Sequence, residues 1–353
     1  QQLLLTFGGT SGAGSRHFVR MAADSGSLKN FVENATRLCL DWGAHGIDID
    51  WEWNRKLEAE DTDDAAERSA YENLMSSLRQ RLDVEGLLLS TAVSASSWFG
   101  DNYPLEGVMQ ADYINVMTYT YNGAWSSTAN HHAPLSKTEN IGLTYWKGRG
   151  IEAAILNLGV PFYGFKYSAA EAPGSAFSSV STLDYPEVKN HLDLGFVLHE
   201  DTLNGSHCSM ESAIVFFDSP ADLSAKVNHV KKMGYHGILI WEIGQDDEQQ
   251  SLSRAIYERM NPQDPSSYGR EIRDQDFRAI YRPASGIELY SGSEELFSAE
   301  LYSLDGKRLA HSNDHFRQAH IPCQELPPGI YILRLRSGDW VKSRKLILGQ
   351  KFN

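Results

Sequence analysis

Cysteine is scarce: 353 residues hold only Cys39, Cys208 and Cys323, odd in number, far apart and never in a C-x-x-C pair. A disulfide framework and a zinc site are therefore unsupported, although a single bridge stays open. Basic residues are also few, 32 Lys and Arg against 46 Asp and Glu, for a formal net charge of −14. The deficit is concentrated, since the first 272 residues carry 20 basic and 36 acidic groups and the remainder carries 12 and 10. An acidic body repels phosphate backbones and anionic lipid headgroups, which argues against nucleic acid and membrane surfaces as partners and favours neutral ligands. No uncharged apolar run approaches the roughly 18 residues of a bilayer span, so membrane insertion is not expected. The pair His131-His132 has no carboxylate or cysteine neighbours at ligand spacing and reads as surface. No metal or cofactor is expected. The chain opens on Gln1 and runs directly into Leu3-Leu4-Leu5 without a charged leader, which reads as a fragment or a processed product.

What is present is a rhythm. Residues 3–8, 46–52, 87–92, 113–117, 154–160 and 237–241 are short aliphatic runs that read as buried strands. Between them, 27–42, 65–82 and 221–233 place apolar residues at three- and four-residue spacings, the helical period. The βαβα order predicts an α/β fold of parallel strands wrapped by helices, and a (β/α)8 TIM-type barrel uses about 250 residues. Residues 167–212, rich in Ser, Asp, Glu and Gly, break the rhythm as a long excursion of the kind that builds functional walls. The run 261–269, Asn-Pro-Gln-Asp-Pro-Ser-Ser-Tyr-Gly, is a linker by composition. The predicted organisation is a barrel over 1–260, a linker over 261–276 and a small all-β sandwich over 277–353. A hairpin is expected there around Leu304-Asp305-Gly306, followed by strands at 330–336 and 341–348.

The strongest chemical signal is His45-Gly46-Ile47-Asp48-Ile49-Asp50-Trp51-Glu52-Trp53. Residues two apart on a strand share a face, so Asp48, Asp50 and Glu52 point one way and Ile47, Ile49, Trp51 and Trp53 the other. The apolar set suits packing under helices, which turns the acids toward the barrel axis. Three carboxylates lined up there cannot all ionise cheaply, and one that keeps its proton at neutral pH suits a general acid. Alone, the same pattern also fits a solvated acidic edge.

At these residues the chain resembles the family 18 glycoside hydrolases, whose strand-4 signature is D-x-x-D-x-D-x-E. Asp48, Asp50 and Glu52 match its last three acids and His45 stands at the first. Thr6-Phe7-Gly8-Gly9 resembles the family's S-x-G-G, Met117-Thr118-Tyr119 its M-x-Y-D, Gly159-Val160-Pro161-Phe162-Tyr163-Gly164 its G-x-P-x-Y-G, and Ile240-Trp241-Glu242 its terminal tryptophan motif. Tyr119 or Trp241 alone would read as core, but five motifs in order over residues 1–260 identify them as site residues.

The resemblance implies cleavage of β-1,4 bonds next to N-acetylglucosamine, in chitin or chitooligosaccharides, by a substrate-assisted retaining route. Glu52 would protonate the leaving oxygen, Asp50 would stabilise the charged acetamido intermediate, Asp48 would share the proton, and Tyr119 would donate to the acetamido group. Trp241 would floor the sugar site, with Phe7, Gly8, Met117 and Tyr163 beside it. Trp98 and Trp125 read equally as sugar platforms and as loop packing. Two departures bear on efficiency: His45 replaces the remote acid, with an expected shift in proton sharing, and Thr120 replaces the Asp of M-x-Y-D. A third is architectural, because only six strands can be found and the barrel's first two are missing from the chain. Further upstream sequence with a signal peptide is the expectation. The same residues leave open an endo-β-N-acetylglucosaminidase acting on N-glycans, or a non-catalytic chitin-binding lectin.

The segment 277–348 resembles the C-terminal sorting domains of the type IX secretion system, through residues 299–307, residues 326–334 and the closing Lys345-Leu346-Ile347. That resemblance implies contact with an export machinery and a secreted or cell-surface bacterial enzyme. A generic accessory sandwich or carbohydrate-binding module is the other reading, although Trp340 is the only tryptophan there.

Overall fold

The computed structural model describes residues 2–10, 16–52 and 64–261, and beyond them 271–273, 277–282, 286–291, 298–312, 318–323, 326, 327, 329–337 and 340–348. Two compact units divide the chain, Gln1–Ile256 and Tyr257–Asn353.

Strands of the first unit, in chain order, are β1 (Leu4–Gly8), β2 (Gly46–Asp50), β3 (Leu88–Ser94), β4 (Tyr113–Met117), β5 (Leu156–Pro161), β6 (Tyr163–Ser168), β7 (Ser179–Asp184), β8 (Val197–His199), β9 (His207–Met210), β10 (Ala213–Phe216) and β11 (Gly237–Trp241). Six of them form a parallel sheet in the order β1-β2-β3-β4-β5-β11. The helices Arg16–Ala23, Ser25–Trp42, Asp64–Glu85 and Pro220–Met233 supply the crossovers that parallel pairing requires. Local sequence sets their ends. Asp24 accepts the Ser27 amide at 2.8 Å to open the helix Ser25–Trp42, and Gly43 closes it in the left-handed region at φ 63°.

The sheet is open, with β1 and β11 as its two ends, as expected for a barrel short of two strands. Ile47, Ile49 and Trp51 are fully buried on its helix side, while Trp53 lies outside the described residues. The Trp51 ring meets Phe18 at 5.2 Å and Tyr71 at 5.6 Å, and its Nε1 donates to Glu67 at 3.0 Å. This aromatic packing anchors the acid-bearing strand from behind.

The polar excursion folds into a second, antiparallel sheet ordered β7-β6-β10-β9-β8, with the helix Tyr185–Asp193 following β7. One face of it buries Tyr163, Phe165, Tyr167, Ile214 and Phe216, while β7 is mostly exposed, which accounts for its polar composition.

His131 and His132 are not surface residues. They are 4% and 0% exposed. His132 packs on Tyr163 and Phe165, and His131 lies close to the buried Lys226–Asp218 ion pair. Burial pushes the pKa of His131 down to about 4 and that of His132 well below the ordinary histidine range, with Lys226 adding to both shifts. Both rings are therefore neutral. Phe217, Asp218 and Lys226 come from far along the chain, so no local pattern announces this burial.

The second unit is all β: β12 (Glu271–Arg273), β13 (Phe277–Arg282), β14 (Gly286–Ser291), β15 (Ser298–Ser303), β16 (Arg308–His311), β17 (Gln318–Ile321), β18 (Gly329–Ser337) and β19 (Trp340–Leu348). Two four-stranded sheets, β12-β13-β14-β17 and β16-β15-β18-β19, share one core that includes Ile287, Leu289, Leu301, Leu333 and Leu346. The hairpin at Leu304-Asp305-Gly306 joins β15 to β16, and Gly306 takes φ 85°. Most of the expected linker, 262–270 and 274–276, lies outside the described residues. Glu271-Ile272-Arg273, one apolar residue between two charges, adds an edge strand to β13.

Among the described residues, no helix is long and apolar enough to cross a membrane, and all three cysteines are buried and free.

Candidate active site

Register decides which side chains meet. Thr6 pairs with Asp48 and Gly8 with Asp50, Ser90 and Ala92 answer the same two acids from β3, and Asn115 pairs with Ala92 and Asn157. Paired residues of a parallel sheet share a face. Asp48, Asp50, Met117 and Trp241 therefore lie on the inner face, the last through the register Gly237↔Asn157 and Trp241↔Pro161.

Phe7 falls on the other face. It pairs with Ile49, and its ring stands edge-on to Phe31 of the outer helix at 5.3 Å. The expectation that Phe7 lines the substrate cleft is corrected by this alternation.

Asp48 accepts Ser90 Oγ at 2.5 Å and Asn115 Nδ2 at 3.1 Å. Burial pushes its pKa up, while these bonds and one from Thr6 oppose the shift. Asp50, 6% exposed, has its pKa pushed up to about 7, first by burial and then by the charges of Glu52 and Asp48. Burial pushes Glu52 up as well. Near neutral pH these acids hold a proton that separate surface carboxylates would have lost.

The two glycines after β1 make room for this. A Cβ on Gly8, at φ 126°, would come within 1.9 Å of the Asp50 carbonyl oxygen, and the Gly9 amide donates to that oxygen at 2.7 Å. Gly8 contributes through this close approach to Asp50.

Tyr119 follows β4. Thr118 Oγ1 donates to the Gly159 carbonyl at 2.6 Å, and a Cβ on Gly159 would meet the Tyr119 ring at 2.9 Å. The glycine thus leaves space for the ring. Burial, then Tyr163 and the three acids, raise the Tyr119 pKa far above its ordinary value, so its hydroxyl remains a donor. Thr120 sits at φ 60°, rare for a threonine, with its hydroxyl 2.5 Å from that of Tyr163. Tyr163 stands edge-on to Tyr119 at 6.4 Å. The position of the family's Asp thus carries a neutral hydroxyl pair.

Trp241 is 48% exposed at the end of β11. Trp98 and Trp125 are largely exposed on the loops after β3 and β4, the end of the sheet where barrel ligands bind. His45 is exposed before β2, where its Nδ1 accepts the Leu3 amide at 3.0 Å. Its ring therefore ties the start of β1 to the start of β2. Sequence reasoning overlooked Ser90 and Asn115, although a polar side chain two residues from Met117 in the apolar strand Tyr113–Met117 was a readable signal. Among the described residues, no group of three or more His, Cys, Asp or Glu is arranged to hold a metal ion.

Breaking a glycosidic bond requires one group to protonate the leaving oxygen and another to balance positive charge at the sugar. Glu52 and Asp50, at the C-terminal end of a parallel barrel sheet, can divide those tasks, which places the molecule among glycoside hydrolases as a class. The chain belongs to the glycosyl hydrolases of family 18, whose profile matches residues 1–246. The class V chitinase of Arabidopsis thaliana is 27% identical over 279 residues, 71% of each chain. A mutant class V chitinase from Nicotiana tobaccum in complex with NAG4 superposes with a TM-score of 0.66 at 26% identity, covering 73% of this chain and 80% of that one. The chitinase-like agglutinin RobpsCRA from Robinia pseudoacacia superposes with a TM-score of 0.63 at 27% identity, covering 73% and 81%.

Proposed function

We propose that the chain hydrolyses β-1,4 bonds next to N-acetylglucosamine in chitin or chitooligosaccharides, with the sugar's own acetamido group as nucleophile. The observation that carries this reading is Asp50, buried between Asp48 and Glu52 with its pKa near 7. Glu52 gives its proton to the leaving oxygen as the C1–O bond breaks, and the acetamido oxygen bonds to C1 to form an oxazolinium. Asp50 balances that charge beside the acetamido nitrogen, Tyr119 donates to the acetamido oxygen, and Asp48 takes its share of the proton. Water then adds to C1, returns a proton to Glu52 and reopens the ring. Trp241, and Trp98 and Trp125 further out, offer flat apolar faces to pyranose C–H groups. The similarity to chitinases, one of them in complex with NAG4, supports this substrate class.

The C-terminal unit we read as an export address, engaging a type IX secretion machinery and placing the enzyme outside the cell or on its surface. Its support is the sorting-domain resemblance and an all-β build of short strands.

Incubation with chitohexaose and, separately, with an N-glycosylated protein, followed by product mass, tests the substrate. Chitobiose or chitotriose from the first and an unchanged second are expected. Cleavage within the chitobiose core of the glycoprotein alone would make the enzyme an endo-β-N-acetylglucosaminidase, and binding without turnover would make it a lectin, as the agglutinin's likeness allows.

A further inference from the structure

Four side chains form one row beneath the acids. His236 Nδ1 lies 3.1 Å from Asn157 Oδ1, Asn157 Nδ2 lies 2.9 Å from Asn115 Oδ1, and Asn115 Nδ2 lies 3.1 Å from Asp48 Oδ1. An amide oxygen only accepts, so Nδ1 of His236 carries the hydrogen in this arrangement. Every link then donates in the same direction, from His236 toward Asp48. Bonds aligned head to tail polarise one another, and donation to a carboxylate favours its charged form.

The row joins two places that differ in access to water. Asp48 is half-buried among the acids, whereas His236 is exposed just ahead of β11, where its amide donates to the Leu156 carbonyl at 2.9 Å. The His236 ring stacks on Tyr113 of β4 at 4.1 Å with an interplanar angle of 30°, which holds Nδ1 toward Asn157.

We propose that His236 is a positioning residue for the proton-sharing acids: its Nδ1–H, acting through Asn157 and Asn115, orients Asp48 and favours its ionised form. This deepens the glycosidase reading and rests on it. No proton travels along the row, since the two amides only transmit polarisation. The effect is stronger when His236 is an imidazolium, so the far end of the barrel responds to pH and helps keep Asp48 ionised as acidity rises.

Other groups act on the two ends. Asp48 interacts with Asp50 of its own strand, Thr6 from β1, Ser90 from β3 and Tyr119 beyond β4, and electrostatically with Tyr71 of the helix Asp64–Glu85 on the other side of the sheet. His236 faces Tyr113 and Asn157, and burial lowers its pKa. Coupling between binding sites is reciprocal, so the charge of Asp48 must in turn favour the charged form of His236.

Nitrogen-15 NMR of the imidazoles in the full chain, titrated with and without Asp48→Asn, tests this without requiring turnover. The neutral His236 should be the Nδ1–H tautomer, and Asp48→Asn should lower its pKa by a few tenths, about what a relayed charge provides. The second arm is the pH profile of kcat/KM on chitohexaose. In His236→Phe, which keeps a ring on Tyr113 but has no donor, the acid limb should move up by about half a pH unit. In His236→Asn, which keeps an uncharged donor, it should move less. An Nε2–H tautomer, a His236 pKa indifferent to Asp48→Asn, or acid limbs that coincide with the parent's in both variants would each overturn the proposal. A chain that binds sugar without cleaving it would sink the glycosidase reading and leave the NMR arm to decide this one.

Discussion

Glu52→Gln should lower kcat on chitooligosaccharides by about 10²–10⁴-fold, the range that general acid catalysis supplies, with binding preserved within a few-fold. Glutamine keeps the volume of the side chain but has no proton to give to the leaving oxygen. Burial raises the Glu52 pKa in the parent, which favours the protonated form that can give its proton to the leaving oxygen. The variant also relieves Asp50 of a neighbouring charge, and the Asp50 pKa should fall from about 7 as a result. Steady-state kinetics together with calorimetric titration of chitohexaose separate the two effects. An unchanged kcat would remove Glu52 from the chemistry, whereas lost affinity with kcat intact would give it a binding role only.

Asp50→Asn should have opposite effects on rate and stability. The carboxylate that balances the oxazolinium is gone, so kcat should drop by about 10²–10³-fold, as for removal of other preorganised charge stabilisers. Stability follows from the pKa. In the folded chain Asp50 binds its proton up to about pH 7, against an ordinary value of 3.8. Between those values the native state holds a proton that the unfolded chain has released, so unfolding free energy falls as pH rises through this window. A shift of about three units corresponds to roughly 4 kcal/mol at most, fully expressed above pH 7 and absent below the unfolded pKa. Asn carries no such charge. Its variant should therefore melt several degrees higher than the parent at pH 8, with the difference vanishing near pH 4. Thermal unfolding monitored by circular dichroism reads this, and a gain of equal size at both pH values would contradict the assignment of the burial cost to Asp50.

Much of this was legible in the sequence because it depends on local periodicity. The strands 46–52 and 113–117, the helices 27–42 and 65–82, and the acid face of β2 all follow from period-two and helical spacing. Phe7 departs from its motif because strand alternation sets its face: its neighbours Thr6 and Gly8 pair with the acids, and it pairs with Ile49. The antiparallel sheet Tyr163–Phe216 was hidden because its solvent-facing strands have the composition of a loop. His131 and His132 were misread because the residues that bury and bond them come from elsewhere in the chain, with Phe217 accepting from His131 across 86 positions. The row from His236 to Asp48 is likewise invisible in sequence, since it exists only when β2, β4, β5 and the approach to β11 are assembled in one sheet.

The stereochemistry of the first product tests substrate-assisted cleavage by Glu52 and Asp50 most directly. Proton NMR of chitohexaose during the first minutes of hydrolysis should show the β-anomer at the new reducing end, with the α-anomer appearing only at the rate of mutarotation. An α-anomer formed first would mean direct attack by water on C1, and would contradict the role of the acetamido group.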